Sequence, residues 1–122
     1  MLRYDRVTFT TTSGGAATVY SRPLSGLLHA IRYVYGDAAT GADIVITDEA
    51  TGLELLTITN AGTASTTHLP RGAAVGTTNA ALLYAAGGAP VTDRLPVVSR
   101  IKAVVAQGGD TKIGTLVFVW EH

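Results

Sequence analysis

The chain of 122 residues contains no cysteine, so it has neither a disulfide framework nor a thiolate metal site, and it carries no mark of a redox compartment. Charge is scarce too. Asp, Glu, Lys and Arg make up 15% of the residues, against roughly 25% in an average soluble domain. Nine Lys and Arg balance nine Asp and Glu, so the basic excess that non-specific nucleic-acid binding needs is missing. No apolar run approaches the roughly 18 residues of a membrane span. The opening stretch, MLRYDRVTFT, has charges but no apolar h-region, which predicts no signal peptide and synthesis in the cytoplasm.

Signatures of catalysis are missing as well. The segment QGGDTKIG (Gln107–Gly114) gathers the residue types of a phosphate loop. Yet Lys112 is neither preceded by Gly nor followed by Ser or Thr, and Ile113–Trp120 reads as a strand where a helix would have to begin. The segment therefore reads as a hairpin turn. There is no GxSxG elbow and no Asp-rich calcium loop. His29, His68 and His122 are too scattered to announce a zinc site. Asp48, Glu49 and Glu54 flank a turn, where carboxylates serve solubility and backbone hydrogen bonds more often than glycoside hydrolysis. The chain is expected to be no enzyme, with no catalytic residue, cofactor or metal.

What remains is 47% hydrophobic residues set among Thr, Ala, Gly and Ser. Alternating Thr, Val and Ile punctuated by glycine predict strands. Val7 and Phe9 share one face of Arg3–Thr12, and Ser13–Gly15 turns the chain. Pro23 ends the next strand or places it on an edge. Leu27–Tyr35 is a long strand with Leu27, His29, Ile31, Tyr33 and Tyr35 on one face and Leu28, Ala30, Arg32 and Val34 on the other. Ala42–Asn60 reads as a hairpin, with Gly52 supplying the positive φ of its turn. Thr63–His68, Val98–Ala106 and Ile113–Glu121 complete the pattern. The whole chain, residues 1–122, is expected to form one all-β domain, a β-sandwich or jelly-roll-like barrel of about eight strands with one long irregular arm or loop.

The irregular part is Leu69–Pro96, where the period of two is lost. NAALLYAA reads either as a short helix capped by Asn79 and stopped by Gly87 or as an extended arm. Leu82, Leu83 and Tyr84 stand in a row with almost no charge around them, so they either close the end of the sandwich or form an arm packed on a neighbour, and the arm is expected. Arg71, behind Pro70, is either a clamp for a partner's carboxylate or backbone or an ordinary solvated side chain. Tyr84 is either an interface anchor or local core. The last strand is apolar on both faces, with Leu116, Phe118 and Trp120 on one and Ile113, Val117 and Val119 on the other. It lies centrally between two layers, or its second face meets another subunit. Arg71, Leu82, Leu83, Tyr84 and Trp120 are thus the candidate partner contacts. Low charge on a Thr-rich surface suits a protein packed in an assembly, and also fits a plain β-sandwich.

The Thr-rich first strand, SGLLHAIRYVYGDAATGADIVIT, LPRGAA, ALLYAAGG and RIKAVVAQGGDTKIGTLVFVW together resemble small proteins encoded in the head gene clusters of tailed phages. The resemblance covers most of the chain and implies a virion protein made in the host cytoplasm and placed on the capsid surface. The role it implies is capsid decoration, or cement: a small β-folded subunit that forms dimers or trimers and bridges major capsid protein subunits. The expected partners are the major capsid protein and the chain itself, with no nucleic acid and no membrane. A head–tail joining, tail or fibre component is the nearest alternative, and a carbohydrate- or ligand-binding β-sandwich is a third.

Overall fold

The computed structural model describes residues 2–73 and 92–121. Along them run β1 (Leu2–Thr10), β2 (Ala17–Tyr20), β3 (Gly26–Tyr35), β4 (Asp43–Asp48), β5 (Glu54–Ile58), β6 (Thr66–His68), β7 (Arg71–Ala73), β8 (Thr92–Arg94), β9 (Pro96–Val97), β10 (Ile101–Ala106) and β11 (Ile113–Glu121). No helix occurs among the described residues. The candidate contacts Leu82, Leu83 and Tyr84, and the helix-or-arm segment around them, lie outside the described residues.

Eight of these strands pair like one long hairpin doubled over and rolled up. β4 and β5 form the tip, and Gly52, at φ 72°, completes their turn as expected. Moving outward along the hairpin, β3 pairs with β6, β2 with β10 and β1 with β11, all antiparallel. Rolling then brings β11 alongside β3 and β10 alongside β4. Two sheets result: sheet A, ordered β1-β11-β3-β6 with β9 also on β3, and sheet B, ordered β2-β10-β4-β5. This is a jelly roll, in which two antiparallel sheets face each other. The sheets curl like half a barrel, and β1 meets β2 at one seam. Arg22 ties that seam: its backbone N–H donates to Asp5 Oδ2 at 3.0 Å and its guanidinium to the Tyr4 carbonyl at 3.1 Å.

The core follows from the alternation. Phe9, Ile31, Tyr33, Leu116 and Phe118 point inward from sheet A, against Ile44, Ile46, Ile101 and Val105 from sheet B. Each such buried side chain contributes about 1.5–3 kcal/mol.

Two expectations are corrected. In β3 the pairing with β11 slips one residue, so that Ala30 faces Val119 while Leu28 faces Trp120. His29 is the extra residue of this bulge. Leu28 therefore joins Ile31 and Tyr33 in the core, and His29 is only half-buried. The second correction concerns QGGDTKIG. β10 lies in sheet B and β11 in sheet A, so the loop crosses between sheets and is no hairpin. Both strands already have neighbours on both edges. Buried Thr11 holds the crossing: its Oγ1 donates to the Gly109 carbonyl at 2.6 Å and accepts from the Lys112 N–H at 2.8 Å.

Candidate partner interface

Arg71 stands at the root of a short ribbon. β7 and β8 pair Arg71 with Arg94, Gly72 with Asp93 and Ala73 with Thr92, so both ends of the segment 74–91 are held side by side. The Arg71 guanidinium turns inward to the body: its Nη1 donates to the His29 carbonyl at 3.0 Å and to the Pro70 carbonyl at 2.7 Å. Those acceptors lie at the β3 bulge and the start of the ribbon, so Arg71 fastens the ribbon to sheet A. Arg94 makes its own ion pair with Glu121 at the end of β11. That bond holds the Glu121 carboxyl below its ordinary pKa.

Trp120 belongs to the core and is only 4% exposed, with the Arg22 guanidinium 5.8 Å from its ring centre. It offers a partner little surface. Its strand β11 is central in sheet A, and its inward face is Leu116, Phe118 and Trp120. The opposite face, with Val117 and Val119, is half-buried and points away from the core.

Carboxylates hold the turns together, among them Asp48 and Glu49, which the sequence pattern places beside a turn. Asp48 is fully buried. Its Oδ1 accepts from the Ser99 hydroxyl at 2.7 Å and the Ser99 N–H at 3.2 Å, and its Oδ2 accepts from Thr51 at 2.8 Å. Burial pushes the Asp48 pKa up, but these bonds together with one from the Val98 backbone outweigh it and hold the group below the ordinary carboxylate range. Glu49 takes both Nε and Nη2 of Arg100, at 2.8 and 2.9 Å. The Arg100 guanidinium in turn lies 3.9 Å from the centre of the Tyr20 ring. Asp37 and Asp43 accept from the Ile113 and Asn60 backbone N–H groups at 2.7 and 3.0 Å. Among the described residues no three His, Asp or Glu side chains gather as a metal site would require, and those residues enclose no pocket.

What the described residues offer to a partner is therefore sheet surface. The outward face of sheet A is built in cross-strand rows. Tyr4, Val119 and the buried Ala30 form one, Arg6, Val117, Arg32 and Thr67 the next, and Thr8, Thr115 and Val34 the third. Tyr4 is 67% exposed and Ile113, further along β11, is 45% exposed. Thr8 and Thr115 bond to each other at 3.2 Å, and Arg32 Nη1 donates to Thr67 Oγ1 at 2.7 Å. Sheet B turns Val45 and Val104 outward, ringed by Lys102, Thr47, Thr57 and Thr18. Pattern-reading missed these surfaces as a set, because the rows exist only once the strand order is known. The signal within reach was β11, apolar on both faces.

No family model matches the chain, and no curated protein is similar enough in sequence to lend it a role.

Proposed function

We propose that the protein is a capsid decoration, or cement, protein of a tailed phage, which associates with itself and bridges major capsid protein subunits on the outside of the head. The observation that carries this reading is the outward face of sheet A. It is broad, rich in Thr and Val, and free of any carboxylate along its three central rows. A monomer that lives alone in solution has little use for such a face. The fold agrees with the reading without deciding it, since jelly rolls also serve lectins and enzymes. A sugar-binding platform is less well served. Trp120 is buried and Tyr20 is covered by Arg100, which leaves Tyr4 without an aromatic companion on its face among the described residues.

Cement acts by adding many weak contacts over a shell. The test is reconstitution: heads assembled without this protein, mixed with the purified chain, then separated from free protein and heated. Saturable binding with a rise in the temperature of head rupture is the expected result. Co-purification with connectors or tails in place of heads would assign the chain to the joining apparatus.

A further inference from the structure

Resting on that reading, we infer that the outward face of sheet A is the surface that docks on the shell, and that its occupant is a protein surface bearing carboxylates around an apolar centre.

The charge balance of the whole chain hides a partition. The strands of sheet A and its ribbon carry five cations (Arg3, Arg6, Arg32, Arg71 and Arg94) and three carboxylates (Asp5, Asp93 and Glu121). The rest of the chain therefore holds four of the nine cations and six of the nine carboxylates. Sheet A with its ribbon thus carries a net positive charge and the rest of the chain a net negative one, and sheet A is the one with the broad face.

Two of those cations are the only charges in its middle rows. Arg6 on β1 and Arg32 on β3 flank Val117 on β11, two strand spacings or about 10 Å apart. Among the described residues neither has a carboxylate within ion-pair distance; the pairs that form belong to Arg22, Arg94 and Arg100. Tyr4 and the valines lie in the adjoining rows. Arginine and tyrosine over an apolar centre are the residue types that anchor interfaces.

Charge also selects the occupant. A second copy docked by a two-fold axis through this face would set arginines against a face with no carboxylate to receive them. An acidic protein surface meets them. The size fits repeated docking. β1 and β11 have nine residues each. At about 3.3 Å per residue, and with three strands about 4.8 Å apart, the face spans on the order of 450 Å². That is roughly half of the 800 Å² per partner of a standard interface, so one contact is weak and an array of them is firm.

The experiment measures occupancy on heads at rising NaCl for the wild type, the double variant Arg6→Glu/Arg32→Glu, the neutral pair Arg6→Gln/Arg32→Gln, and Lys102→Glu on the opposite face. Melting curves run beside each. Wild-type affinity should fall steeply from about 0.1 M to about 1 M salt, as the screening length drops from about 10 Å to about 3 Å. The glutamate pair should bind about tenfold or more weakly, the glutamine pair should bind weakly with a flatter salt response, and Lys102→Glu should bind as the wild type does. Normal binding by a folded glutamine or glutamate pair, or loss of binding in Lys102→Glu alone, overturns the assignment of this face. Failure of the wild type to bind heads overturns the cement reading itself and this inference with it.

Discussion

The Phe9 ring packs against Gly114: the two residues are directly paired across β1 and β11, and a Cβ built on Gly114 would sit 2.5 Å from Phe9 Cζ. The same Cβ would lie 3.2 Å from Tyr33 Cε1. The glycine is thus the floor on which two fully buried rings rest. Gly114→Ala should destabilise the fold by about 1–3 kcal/mol, the usual cost of overpacking. Phe9→Leu made in addition should return part of the loss, since the two sites share one volume. Thermal melts of the two single variants and the double variant check this. Additive losses would show that the ring and the glycine do not compete for space.

Asp48 organises the β4–β5 turn and the approach to β10, and its carboxylate is the acceptor for Ser99 and Thr51. Asp48→Ala leaves those donors unsatisfied in a buried place and should cost about 2–3 kcal/mol. The pH dependence has a definite sign. The folded pKa lies below the unfolded one of about 3.9, so the stabilisation is complete above that value and is lost as pH falls through the folded pKa. Denaturant melts of the wild type and Asp48→Asn should differ most at neutral pH and converge in acid. A gap that stays constant down to about pH 2 would mean that the carboxylate does not gain its stability from ionisation.

Much of this fold was legible because burial and alternation coincide. Ile44 and Ile46 point inward and Val45 outward as period two demands, and Gly52 sits where the turn needs positive φ. What period two cannot show is a bulge. His29 breaks the count in β3, and nothing in HAIRY marks the break, because the partner strand β11 creates it. The start of β10 was misplaced for a related reason. Val98–Arg100 has a strand-like composition, yet Ser99 and Arg100 are held by Asp48 and Glu49, and the strand begins only at Ile101. The short strands β8 and β9 follow tertiary contacts with β3, and β7 follows its pairing with β8, rather than any local pattern. Of the candidate contacts, Arg71 is placed at a meaningful position, while Trp120 was drawn into the core by the inward face of β11.

The crossing between β10 and β11 rests on Thr11 and not on Lys112. Thr11→Val removes the hydroxyl that serves both Gly109 and Lys112 and should cost about 1–3 kcal/mol. Lys112→Ala should change stability by less than about 0.5 kcal/mol, as surface substitutions do. ATP and GTP should leave the melting temperature where it is. A shift with either nucleotide would make the loop a binding site after all.

Arg71 faces Arg94 across the ribbon, and like charges in that position repel. The pair stands because each guanidinium is drawn away from the other. Arg71 reaches the carbonyls of His29 and Pro70, and Arg94 reaches Glu121. Arg71→Ala removes the fastening of β7 to the bulge of β3 and should loosen the ribbon locally. The global cost should be near 1 kcal/mol, the worth of a typical hydrogen bond. The local effect should be larger: the amides of Gly72 and Asp93 should exchange faster while those of β3, β10 and β11 keep their protection. Glu121→Gln, which weakens the hold on Arg94, should act on the same amides and in the same direction. Hydrogen exchange read residue by residue separates this fastening role from a contact with a partner, because a contact side chain leaves the free protein's exchange unchanged. Unaltered protection at Gly72 and Asp93 in Arg71→Ala would return Arg71 to the pool of surface arginines available to the shell.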